Sequence, residues 1–200
     1  KKLKHLSEKA MNEYLDMQEA LEFIRADALE LLERKLDALT REKVLTDEAE
    51  EQIYQLQKML AVPDNEVKHL QKRLYILNIY RGKFPIVPQW QLEDIRFEPD
   101  ETCHLFTPAE YHKVNAVSTK QGRLIATNKK LRLLSATGSF EITWNSVMSI
   151  RKGTWQEVSV SSRRPLPETQ GIYLEVNRKV ANGFYAVPDP EVVYAVIDTL

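Results

Sequence analysis

Thiol and imidazole groups are scarce in this chain, with one Cys and four His in 200 residues. Only Cys103, His104 and His112 fall near one another. A thiolate beside an imidazole makes a nucleophilic pair or two metal ligands. Here the spacing opposes both uses, because neighbouring residues of a strand point to opposite faces and Cys103 cannot converge with His104. The pattern predicts a partly buried thiol beside an exposed ring. His5 and His69 have no ligand partner three or four residues away. Asp47, Glu48, Glu50 and Glu51 crowd behind Thr46, and acids there suit the positive end of a helix dipole under a hydroxyl cap. No His or Cys lies near them to complete a metal set. Walker loops, Gly-x-Ser-x-Gly elbows, His-Glu-x-x-His and Gly-x-Gly-x-x-Gly are all missing. The chain is expected to have no catalytic residue, no cofactor and no metal, and to be no enzyme.

Binding chemistry is better represented. From Lys113 to Arg164 there are ten basic residues and two acidic ones, Glu141 and Glu157. At the centre is GRLIATNKKLRLL, residues 122–134. An Asn128-Lys129 turn would pair Thr127 with Lys130, Ile125 with Arg132 and Arg123 with Leu134. Leu124, Ala126, Leu131 and Leu133 then form an all-apolar core side. The opposite side mixes Arg123, Lys130 and Arg132 with Ile125 and Leu134, and is expected to face outward. The candidate partner-binding set is Lys120, Arg123, Ile125, Lys129, Lys130, Arg132, Arg151, Lys152, Trp155, Arg163 and Arg164. Basic residues on exposed strands also serve solubility alone. Trp144 alternates with Phe140 and Ile142 and is expected in the core.

The whole chain sets limits on these readings. Its 28 basic and 29 acidic residues leave a net charge of −1, so attraction to nucleic acid or an anionic membrane has to be local. Nucleic acid is not an expected partner. Cys103 stands alone, which suits a reducing cytoplasm. No apolar run reaches the roughly 20 residues that span a bilayer. The chain starts KKLKHL without Met and stops inside a helical pattern, as a segment of something longer would.

The first half reads as helix. Tyr14, Met17, Leu21, Ile24, Ala28 and Leu31 recur at spacings of three and four, the seam of a long amphipathic helix that is available for self-association. Thr46 starts a second helix with Ile53, Leu56 and Leu60. Pro63 and Asp64 interrupt it, and a third carries Val67, Leu70, Leu74 and Leu77 before Gly82 permits a left-handed end. Short connections imply an antiparallel bundle over residues 1–81. RGKFPIVPQW then marks a linker at 82–97.

From Glu101 the period becomes two. ETCHLF, GRLIAT, KLRLLS, SFEITW, SVMSI, EVSVS, GIYLEV and GFYAV are eight candidate strands, enough for a small antiparallel barrel or sandwich over 98–200. Asp189 and Pro190 open a final helix with Val192 or Val193, Val196, Ile197 and Leu200 on its stripe. The expected fold class is α+β: a helical bundle, then a barrel closed by a C-terminal helix.

LTDEAEEQIYQLQKMLAVPDNEV resembles the paired-helix units of tellurite-resistance TerB-like domains, a likeness over about 40 residues. Some members bind metal through acids, which would nominate Asp47, Glu48, Glu50 and Glu51. GRLIATNKKLRLL, SFEITWNSVMSI and GIYLEV with NGFYAVPDPEVVYAVI resemble bacterial pleckstrin-homology-like and GRAM-like domains over residues 98–200, although the insertion GTWQEVSVSSRRPLPETQ departs from their short connection. That likeness implies a scaffold for lipids, peptides or other domains. The function expected is a cytoplasmic interaction module whose protein or peptide partner meets the basic hairpin. The alternatives are an anionic lipid headgroup at the same cluster and a metal-binding TerB-like protein.

Overall fold

The computed structural model describes residues 23–42, 45–113, 119–155, 168–177 and 181–200. The chain divides into two compact units, Lys1–Arg81 and Gly82–Leu200. It is α+β: helices first, then an antiparallel sheet and a last helix.

In the first unit α1 (Arg25–Glu42) lies against α2 (Asp47–Met59) and α3 (Lys68–Tyr80). Thr46 caps α2 by accepting from the Ala49 N–H, as its position before the acids predicts. Ile53, Leu60, Val67, Leu70, Leu74 and Leu77 are buried with Ala28, Leu32 and Leu36 of α1. Gly82 follows α3 with φ of +85°, a conformation open to glycine without strain. Leu31 departs from expectation. It is 48% exposed, because each residue turns a helix by about 100° and the buried face centres on Leu32 and Leu36 instead. Tyr14, Met17 and Leu21 lie outside the described residues.

Among the described residues the second unit carries seven strands: β1 (Cys103–Lys113), β2 (Thr119–Thr127), β3 (Lys130–Leu134), β4 (Phe140–Thr143), β5 (Val147–Thr154), β6 (Gln170–Val176) and β7 (Gly183–Ala186). They form one antiparallel sheet in the order β4-β3-β2-β1-β7-β6-β5. The eighth candidate, EVSVS, lies outside the described residues. β4 and β5 end the sheet, joined in sequence by a 3-10 turn at Trp144–Ser146 and not hydrogen-bonded to each other.

The sheet is strongly curled. Three strand spacings separate β4 from β1 and four separate β4 from β7, which on a flat sheet is about 14 and 19 Å. Yet the Phe140 ring of β4 lies 5.2 Å from that of Tyr111 on β1 and 6.5 Å from that of Tyr185 on β7. The concave side they share also buries Leu124, Leu131, Leu133, Ile142, Ile172 and Leu174. Helix α4 (Pro190–Thr199) packs on β5, β6 and β1, with Asp189 accepting from the Val192 N–H and Val193, Val196 and Ile197 buried.

Residues 82–102 do not behave as a free connector. Apart from a 3-10 turn at Gln89–Gln91 they are irregular, as their Gly and Pro content predicts. They nevertheless strap across the convex side of β1, β2 and β3. Leu92 is buried with Cys103 and Ile125, and Val87, Ile95 and Phe97 join Phe106 and Leu134 around them. The Val87 N–H donates to the Cys103 carbonyl at 3.0 Å, and His104 Nδ1 meets the Pro85 carbonyl at 2.9 Å.

Candidate functional site

The basic hairpin has the register its sequence predicts: Arg123 opposite Leu134, Leu124 opposite Leu133, Ile125 opposite Arg132 and Ala126 opposite Leu131. Its second face is where the reading fails. Ile125 is 0% exposed under the strap, so it cannot meet a partner. Arg132 donates from Nη2 to both carboxylate oxygens of Glu101 at 3.0 and 2.8 Å, and from Nη1 to the Arg96 carbonyl at 2.9 Å. Its guanidinium also sits 5.5 Å from the centre of the Phe97 ring. Lys130 bonds Glu98 and lies 3.4 Å from Glu141. Lys129 donates to the Pro99 carbonyl. The hydrogen bond between Lys130 and Glu98 lowers the Glu98 pKa, with coulombic attraction to Lys130 second, and raises that of Lys130 against desolvation and the nearby Arg132 charge.

Glu98 and Glu101 are thus the residues that sequence reasoning missed. A signal was present, since EPDE places two acids at i and i+3 just upstream of a strand whose neighbours are basic. Treating the preceding Gly and Pro as a linker hid it.

The rest of the candidate set divides further. Trp155 is buried, its ring 4.5 Å from His112 and 5.5 Å from Phe184, so it belongs to packing instead of an exposed face. Lys120 donates to the Gly138 carbonyl and lies over Phe140. Arg123, Arg151 and Lys152 remain exposed. Each rests on an aromatic ring: Phe106 at 5.4 Å, Tyr173 at 4.9 Å and Tyr194 at 5.6 Å. Such contacts orient a cation while leaving its outer hydrogen-bond donors to solvent or a ligand. Arg163 and Arg164 lie outside the described residues.

Arg151 and Lys152 share β5, the last strand of the sheet. Lys152 stands opposite buried Ile172, on the side that carries α4, and Arg151 stands opposite Tyr173 on the convex side. Among the described residues no strand bonds the outer edge of β5. A register irregularity between Val147 and Ser149 leaves Met148 exposed.

The other chemistry-bearing groups are engaged internally. Cys103 is buried, donates to the Leu105 carbonyl, and has its pKa raised to about 11, chiefly by desolvation. That keeps it a thiol and a poor nucleophile. Trp144 is half-buried on the 3-10 turn and donates to the Thr127 carbonyl at 2.9 Å. In the first unit Arg81 bonds Asp47 and the Leu45 carbonyl, while Asn78 donates to Glu50 at 2.7 Å. Gln55 donates to Glu51 as well, so three of the four nominated acids are already matched by protein donors. Among the described residues no three His, Cys, Asp or Glu side chains are grouped to hold a metal, and no helix is long and apolar enough to cross a membrane.

No family model matches the chain, and no curated protein does. Among solved structures it is similar to the crystal structure of the C-terminal domain of an unknown protein from Leishmania infantum, at 17% identity and a TM-score of 0.36. The similarity covers 55% of this chain and 89% of that one.

Proposed function

We propose that this chain is a non-enzymatic interaction protein whose second unit is a pleckstrin-homology-like barrel, open between β4 and β5, that binds an extended peptide of a protein partner by strand addition along β5. The helical unit is read as TerB-like, and a reducing cytoplasm suits the lone thiol. The observation that carries the binding reading is the eight-residue terminal strand β5 with an open outer edge among the described residues and exposed cations on both of its faces. Strand addition takes its affinity from main-chain hydrogen bonds and its selectivity from alternate side chains. Lys152 is also the kind of charge that keeps an edge from pairing indiscriminately. A partner strand has to set an acid against it, so the edge selects acidic, β-forming sequence.

The hairpin proper is not the proposed surface. Its central cations already have carboxylates, which removes the cluster that a lipid headgroup would need. The test is selection of random twelve-residue peptides on the full chain. Acidic, β-branched sequences are expected, with amide shifts concentrated on Val147–Thr154. The double substitution Arg151→Glu and Lys152→Glu should weaken them at least tenfold while leaving the fold intact. Recovery of basic peptides, shifts confined to other strands, or equal binding of both proteins to phosphatidylserine vesicles would overturn the proposal.

A further inference from the structure

A groove of about 490 Å³ opens over β1, β2 and the end of β7, lined by Pro108, Glu110, Gln121, Ala186, Pro188 and Thr169 among others. The strand registers explain it. Glu110 stands opposite Gln121 on β2 and Ala186 on β7, so these three side chains share the convex face, where the strap covers neighbouring Phe106 and Ile125. Pro108, Val187 and Pro188 supply apolar lining beside the polar Glu110, Gln121 and Thr169.

The lining includes the Glu110 carboxylate, which has no Lys or Arg partner among the described residues. Glu110 is 39% exposed at its side chain, and its one ion-pair neighbour among the described residues is His112 Nε2, at 3.4 Å. His112 is buried against Trp155 and Phe184, and desolvation lowers its pKa despite the opposing pull of Glu110. It is therefore neutral near pH 7 and does not itself compensate the Glu110 charge. Of the other cations on the convex face, Lys130 and Arg132 have acids of their own, while Arg123, opposite Pro108, and Arg151 rest on the Phe106 and Tyr173 rings.

We propose that this groove is a second binding site, which takes a Lys or Arg side chain from an extended segment of a protein partner. The aliphatic stem would lie along Pro108, Val187 and Pro188, and the cationic head would donate to the Glu110 carboxylate with Gln121 beside it. Charge complementarity selects the occupant: apolar lining beside a carboxylate with no Lys or Arg partner among the described residues suits a long basic side chain. An acidic or purely apolar side chain would leave that carboxylate desolvated without compensation.

The probes are Nα-acetyl-arginine methylamide and Nα-acetyl-lysine methylamide, with the norleucine analogue as the uncharged control. They are titrated into the nitrogen-15-labelled full chain and followed by amide shifts. Binding in the millimolar range is expected, with shifts centred on Gln121, Gly122, Ala186 and Val187, and with norleucine roughly five- to tenfold weaker. Glu110→Gln should reduce both basic amides to the norleucine level. Gln121→Lys, which supplies an internal cation to the same carboxylate, should do likewise. Arg151→Glu with Lys152→Glu should leave this binding unchanged, which separates the groove from the β5 edge. Norleucine binding as tightly as lysine, shifts away from the groove, or affinity unaltered in both Glu110→Gln and Gln121→Lys would overturn the proposal.

Discussion

Glu101→Ala is the sharpest probe of whether residues 82–102 belong to the second unit. The Glu101 side chain is 0% exposed and accepts both Arg132 bonds and one from Thr127 at 2.8 Å. Removing it leaves the Arg132 guanidinium, 10% exposed at its side chain, with the Arg96 carbonyl, the Phe97 ring and a 3.5 Å approach to Glu141. Breaking a buried pair by deleting one partner costs about 3–5 kcal/mol, since a charge is left desolvated. Replacing both partners, Glu101→Leu with Arg132→Met, removes that uncompensated charge and should recover most of the loss. The three tryptophans, Trp90, Trp144 and Trp155, all fall within Gly82–Leu200. Urea unfolding followed by tryptophan emission therefore reports this unit without a signal from the helices. A loss below about 1 kcal/mol, the value of a solvent-exposed pair, would refute the burial of Glu101 and with it the account of the strap.

Two further outcomes follow from the same packing. A fragment of residues 82–200 should fold, whereas 98–200 should be less stable by about 5 kcal/mol, from the loss of buried Leu92 and half-buried Val87, Ile95 and Phe97; equal urea midpoints would contradict this. His112 supplies a pH dependence. Burial lowers its folded pKa below the ordinary 6.5, so the unfolded chain binds the proton first. Stability from the neutral ring is whole above pH 6.5 and is lost as pH falls through the folded value. His112→Phe should flatten the urea midpoint between pH 7.5 and 5, and parallel curves for the two proteins would remove His112 as the cause.

Much of the architecture is legible in local pattern. The Thr46 and Asp189 caps, the third-helix stripe of Val67, Leu70, Leu74 and Leu77, and the hairpin register around Asn128 rest on contacts within a few residues or on a strict period of two or 3.6. A half-buried strand announces its core side by alternation. It does not say what covers the other side, because that depends on chain far away in sequence. For β2 and β3 the cover is the segment 82–102, which reads as a linker since Pro and Gly forbid regular structure without forbidding burial. Ile125, Lys130 and Arg132 are therefore covered where alternation alone implies exposure, and Trp155 is covered separately by His112 and Phe184.

The amino-acid order by itself set the helices, the strands, their turn and the excess of cations, each through propensity and periodicity that neighbours along the chain enforce. Tertiary structure alone decided which cations stay available. Glu98 and Glu101 reach Lys130 and Arg132 across about 30 residues of sequence, and a buried charge is stable only where folding delivers its counter-ion.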